Sequence, residues 1–231
     1  MPDESLLRIT VFTVLVAAAA TVVMLPIGVS LAWLLARRRF RAKALLDTLV
    51  TVPLVMPPVA TGLILLRLLG ARSPLGRALE MAGLEIVFTW KAVLLAMAVM
   101  GLPLVVRTVR AGLQQVPPRY EQIAETLGAG PLRVFFTITL PLASRSVVAG
   151  AILGFSRALG EFGATIMVAG SIPGRTRTLA SAIYAYTETG RDAQAATLVA
   201  IAIVVAFAAV WLSNHIADRD SGLGPFDSRS A

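Results

Sequence analysis

The 231-residue chain contains no cysteine and a single histidine, His215. Disulfides, cysteine nucleophiles and thiolate metal sites are excluded at once, and so is a centre built on several histidines. Charge is also scarce: Asp, Glu, Lys and Arg make up 15% of the chain, against 57% hydrophobic residues. A soluble domain carries about 25% charged residues. This chain therefore has too little charge to cover a water-facing surface, and too much apolar surface to hide in one soluble core. A disordered chain needs the opposite balance. The class that remains is an integral membrane protein. The sequence also lacks a G-x-x-x-x-G-K-[ST] phosphate loop, a G-x-S-x-G elbow and an H-E-x-x-H pair. No catalytic residue, metal site or cofactor is expected, and an intramembrane enzyme would lack its reactive groups.

What the chain does have is a series of long apolar runs. A hydrocarbon core takes about 20 apolar residues of helix. Residues 9–36 and 48–66 are uncharged, 86–106 contains only Lys91, 146–172 contains only Arg157 and Glu161, and 193–215 carries no formal charge. These runs predict an all-α protein with five transmembrane helices, over about 9–36, 48–67, 86–107, 146–172 and 193–216, in one domain spanning 1–217. The first run is not read as a signal peptide. Asp3 and Glu4 stand among the residues before it, and it continues for 16 residues past the small residues 17–20. A ten-residue apolar piece, 178–187, is too short to span and is expected to be re-entrant or interfacial. Residues 218–231 are rich in Ser, Asp and Gly and are expected to be a disordered cytosolic tail.

The net charge of +8 could suggest a nucleic-acid partner. In a membrane protein the same arginines orient the chain, and no nucleic acid is expected. One set of loops holds Arg37, Arg38, Arg39, Arg41, Lys43, Arg107, Arg110, Arg119, Arg133, Arg145, Arg219 and Arg229, twelve cations. The alternate set holds seven: Arg8, Arg72, Arg77, Lys91, Arg175, Arg177 and Arg191. The richer side is expected to be cytosolic, which puts the N-terminus outside and the C-terminus inside.

The loop 107–145 is too structured for a linker. Pro117 and Pro118 end one helix and set the start of another. Residues 120–127 place Ile123, Ala124 and Leu127 on one helical face. Gly128 and Gly130 supply a stop, and a second apolar run ends at Pro141. Two short helices on the inner membrane surface are predicted. The residues alone leave open a docking element or an ordinary interfacial loop.

Arg157 and Glu161 are charges at membrane depth, where charge is costly and marks function by default. Four residues apart, they share a helix face and can pair, either lining a polar pathway or bracing helices. Gly160 and Gly163 beside them permit close packing or a hinge. Pro57 and Pro58, with Pro53 and Gly62, interrupt the second helix, which fits a pathway-lining segment or a simple kink. His215 falls at the inner end of the last helix as an interfacial residue.

Three stretches carry a family resemblance. The loop reads Glu121-Gln122-Ile123-Ala124-Glu125-Thr126-Leu127-Gly128, then nine residues, then Ile138-Thr139-Leu140-Pro141. It resembles the EAA loop of bacterial ABC importer permeases, E-A-A-x-x-x-G-x(9)-I-x-L-P. Gly128, Ile138, Leu140 and Pro141 fall in place. The aligned triplet is Gln122-Ile123-Ala124, with Glu121 one position early, so either Glu121 or Glu125 could touch the partner. Ala44-Leu45-Leu46-Asp47 with residues 53–59, and residues 156–166 with 172–178, look like the permeases of molybdate importers. Sulfate and tungstate permeases have a similar L-G-E-F-G-type segment and are the alternatives.

The resemblance implies a type I importer permease fold, with the EAA loop over 117–141 and no ATP hydrolysis by this chain. It implies a homodimer in the inner membrane, two cytosolic ABC ATPase subunits docked on the loop, and an extracytoplasmic oxyanion-binding protein. A rival from another class is a small secondary transporter or channel. That rival calls for an inverted repeat, and the two halves show no convincing one.

Overall fold

The computed structural model describes residues 5–219, with side chains to residue 211. Among the described residues every regular element is helical. Ser5 caps α1 (Leu6–Arg37), its side chain accepting from the Arg8 N–H. Its 32 residues rise about 48 Å, ample for a bilayer. Next come α2 (Lys43–Val55), α3 (Pro58–Leu69) and the short α4 (Pro74–Met81). A second long helix, α5 (Trp90–Gln115), leads into α6 (Pro118–Thr126), α7 (Pro131–Val134), a π-helical turn (Phe135–Thr139) and α8 (Leu140–Leu142). Last among the described elements are α9 (Ser144–Leu159), α10 (Gly163–Val168), α11 (Leu179–Glu188) and α12 (Asp192–Arg219).

The core lies where α1, α5 and α9 pack together. Lipid tails are as apolar as leucine, so burial alone gives helices little reason to associate, and close packing between small residues does the work. A Cβ added to Gly28 of α1 would lie 2.6 Å from Val105 of α5, and one on Gly154 of α9 would lie 2.7 Å from the same side chain. A second cluster (Ile9, Leu179, Ala182, Tyr186, Ala195 and Leu198) joins α11 and α12 to the start of α1. Beyond this cluster α12 packs on α9 along one side and exposes Ile203, Val204, Phe207 and Trp211.

The structure differs from the expected helices at two places. The run expected as one helix over 48–67 is two, meeting at 114°. A proline pushes the residue before it out of the helical region. Pro57 does this to Met56 (ψ 147°), and Pro58 does it to Pro57 (ψ 129°). Two extended residues in succession end α2 and aim α3 elsewhere. The run 146–172 also breaks, at Gly160 to Phe162, with Phe162 at φ −128° and ψ −55°. Glu161 therefore sits in the break and not on a continuous helix. Among the described residues, three single helices (α1, α5 and α12) are long and apolar enough to cross a bilayer, and five are reached only if each of two bent pairs counts as one span. Those pairs are α2 with α3, and Pro131–Leu142 with α9.

The piece expected over 178–187 is α11, opened by a capping box between Thr178 and Ser181. Residues 220–231 of the expected tail, and the side chain of His215, lie outside the described residues. The charged loops gather at two ends of the bundle. At one end Arg37 donates to the Val116 carbonyl and Arg110 pairs with Asp47 at 2.8 Å. At the other, Arg8 reaches the Gly174 carbonyl, and Lys91 and Arg175 line one cavity of about 570 Å³.

Candidate functional site

The 118–142 segment is two short helical pieces, as its proline and glycine positions require. Pro118 stands at N1 of α6, where its missing N–H costs nothing. The helix ends in a reversal at Gly128, with φ +84°. The Gly128 N–H donates to Glu125 O and the Ala129 N–H to Ala124 O, closing the last carbonyls. A Cβ at Gly128 would meet nothing within 4 Å. The glycine is needed for its backbone angle and not for space.

The second piece, from Pro131 to Leu142, contains the π turn. A proline ring inside a helix collides with the carbonyl four residues back. The π turn lies just ahead of Pro141, and the Leu140 N–H bonds to the Phe135 carbonyl, five residues back. Leu140 and Phe135 pack on the main core, and Phe135 meets Trp33 of α1 edge-on with ring centroids 5.4 Å apart. Ile138 is half-buried and Pro141 exposed.

Along α6 no residue is buried. Ile123 and Leu127 are 57% and 83% exposed. Gln122 and Glu125 are exposed too, while Ala124 is half-covered. Glu121 turns inward, with its Oε1 3.0 Å from Arg37 Nη2 and accepting from Thr139 Oγ1 at 2.7 Å. Sequence reasoning missed Arg37 and Thr139 as its partners. Arg37 read only as one of an arginine run, and Thr139 only as the spacer in Ile-x-Leu-Pro.

Arg157 and Glu161 do pair, with Nη2 and Oε2 2.7 Å apart. The pair spans the break between α9 and α10. Arg157 occupies the last turn of α9, where a cation suits the helix dipole, and Glu161 precedes the first turn of α10, where an anion does. Glu161 Oε1 accepts from the Ala164 N–H at 2.7 Å, filling one of the free N–H groups at that helix start. Glu161 is 1% exposed and Arg157 24%. Both oxygens of the buried carboxylate thus have donors, which a buried charge requires.

The structure brings Gly163 against Pro58, which Pro57 precedes in the chain, and leaves Gly160 apart. A Cβ on Gly163 would fall 2.7 Å from Pro58 Cβ, and one on Gly62 2.7 Å from Ala164 Cα. The first turns of α3 and α10, each following a break, cross at these glycines. Gly160 instead opens onto an apolar cavity of about 230 Å³ between α9, α11 and α12.

Comparison with known proteins follows the same lines. The family described as "Binding-protein-dependent transport system inner membrane component" matches residues 24–219. The chain is 46% identical over 204 residues to the molybdenum transport system permease protein ModB of Escherichia coli K12, covering 87% of this chain and 89% of that one. It is 34% identical over 214 residues to the sulfate transport system permease protein CysT of Salmonella typhimurium LT2, covering 91% and 77%. A chain of the MetNI methionine ABC transporter, solved in inward-facing conformations, superposes with a TM-score of 0.73 at 15% identity, covering 93% of this chain and 95% of that one. At that identity the likeness is one of fold.

Proposed function

We propose that this chain, which belongs to the family of binding-protein-dependent transport system inner membrane components, is the membrane-spanning subunit of an ATP-driven importer of molybdate. The carrying observation is the graded similarity over nearly the whole chain: 46% identity to the molybdenum permease of E. coli against 34% to the sulfate permease of S. typhimurium. Sulfate is the second reading, on that 34%.

Two copies of the chain enclose the pathway. The arginine-rich end faces the cytosol, by the excess of cations there. Two ATPase subunits dock on α6 from that side. The support is a helix that buries none of its own residues and presents Ile123 and Leu127 bare. Exposed apolar side chains in a polar loop mark a surface meant to be covered. An oxyanion-binding protein delivers from the opposite end, whose open cavity holds Lys91 and Arg175 beside Glu80 and Glu85. ATP hydrolysis resides in the partner subunits. Their closure moves the two permease halves as rigid bodies, and the docking loop passes on the motion.

The pathway runs beside the crossing of α3 and α10. Interrupted helices at membrane depth are tolerated where protein or a water-lined cavity satisfies the freed backbone groups. Arg157 offers a partly exposed guanidinium there, held in check by Glu161. An unpaired arginine would retain a dianion, whereas a paired one lets it pass.

Co-purification tests this reading. The chain, co-expressed with the ATPase and binding protein of a molybdate importer, should elute as a complex of two permease and two ATPase subunits by light scattering. Elution of the chain alone, with the ATPase recovered separately, contradicts it.

A further inference from the structure

The base of the docking loop is held by polar ties that converge on one carboxylate. Glu121 Oε1 takes Arg37 from the last turn of α1 at 3.0 Å and Thr139 from the π-helical turn at 2.7 Å. The same Arg37 Nη2 donates to the Val116 carbonyl, just past the end of α5, at 2.9 Å. The end of α1, the end of α5, the first turn of α6 and the π turn therefore meet at one node. Thr139 is 1% exposed, and both members of the ion pair are largely covered.

These ties matter because α6 has little else to hold it. It has nine residues, none of them buried, and a lone helix that short is marginal in water. Apolar packing does not fix its position, so charge-assisted hydrogen bonds must, and these are roughly twice as strong as neutral ones. On the helix surface, residues four apart share a face. Ile123 and Leu127 form the bare face. Glu121 stands outside that pair and points into the protein.

The geometry points to Glu121 as an inward-facing positioning residue that fastens the docking helix to α1 through Arg37 and Thr139, leaving contact with the ATPase to Gln122, Ile123 and Leu127. A push on α6 then reaches the end of α1 without being absorbed in the loop. Because α1 packs along α5 and α9, it carries the displacement into the bundle as a rigid element. The inference rests on the transporter reading above.

The test uses the whole complex in lipid nanodiscs with ATPase and loaded binding protein. Three quantities are measured: affinity of the permease for the ATPase, basal ATP hydrolysis, and its stimulation by loaded binding protein. Glu121→Gln and Arg37→Gln should each lower stimulation about tenfold, the scale of one charged hydrogen bond. The double variant should lose no more than either single one, because both act on one tie. Affinity for the ATPase should stay within about twofold. Thr139→Val, which keeps the shape and removes the donor, should move stimulation the same way, and Thr139→Ser should restore it.

A Glu121→Gln variant that binds the ATPase about tenfold more weakly, with a loss that adds to that of Arg37→Gln, overturns the proposal, since the carboxylate then touches the partner directly. Unchanged stimulation in both single variants overturns it as well. If Arg37→Gln does not fold, the Thr139→Val and Thr139→Ser pair decides. Failure of the transporter reading looks different, because the unmutated chain then binds no ATPase.

Discussion

Glu161 serves two helix ends at once, which makes its two oxygens separable by mutation. Glu161→Gln keeps an acceptor for the Ala164 N–H and weakens the link to Arg157. The expected result is a folded protein with altered transport. Arg157→Ala strands a carboxylate that is 1% exposed, and breaking a buried pair from one side costs roughly 3–5 kcal/mol. Its melting temperature should fall well below that of Glu161→Gln. The double variant Arg157→Leu, Glu161→Leu removes the stranded charge and should recover most of that stability while losing transport. Normal transport by the double variant would remove the pair from the pathway. Failure of the double variant to assemble would make the pair a brace of the α9–α10 bend and nothing more. Among single residues, the spacing of four between Arg157 and Glu161 announced their pairing. It did not announce that Glu161 also caps α10, because the break at Gly160 to Phe162 depends on how α10 meets α3, a contact between segments about a hundred residues apart.

The elements divide into those whose ends are written locally and those whose ends are set by packing. Pro118 and Gly128 mark α6 plainly, and Thr178 with Ser181 marks α11. The long apolar helices α1, α5 and α12 follow from hydropathy, because lipid asks only for length and an apolar surface. Hydropathy is blind to direction, however. A window over 48–67 averages across Met56 and Pro57 and cannot register that the axis turns by 114° there, although the two successive prolines carried the warning. The inward turn of Glu121 was likewise illegible, since Arg37 lies 84 residues away in sequence. At Gly128 the local rule yields a test. Its φ of +84° costs a β-branched residue about 1–2 kcal/mol, with no clash to add. Gly128→Val should leave the bundle folded and abolish stimulated ATP hydrolysis, while Gly128→Asn, which tolerates that backbone region, should keep most of it. Normal stimulation in Gly128→Val would detach α6 from coupling.

For the whole molecule, the proposed topology puts the arginine-rich end in the cytosol. The chain has no cysteine, so a single introduced thiol reports its side cleanly. Ser73 caps α4, but Arg72 beside it is exposed. Arg72→Cys should be labelled by an impermeant maleimide from outside intact cells. Labelling only after lysis would invert the orientation and put α6 out of reach of a cytosolic ATPase. In the proposed orientation the exposed face of α12 is available to lipid or to a second copy of the chain.

ATP-driven release of molybdate from sealed proteoliposomes tests the central claim most directly. The permease and ATPase are reconstituted with the ATPase outward, loaded binding protein and labelled molybdate are enclosed, and ATP is added outside. Molybdate should leave the lumen only with hydrolysable ATP and the binding protein present, with no dependence on an imposed ion gradient. Movement that persists with a non-hydrolysable ATP analogue and follows such a gradient would contradict the account and make the chain a secondary transporter.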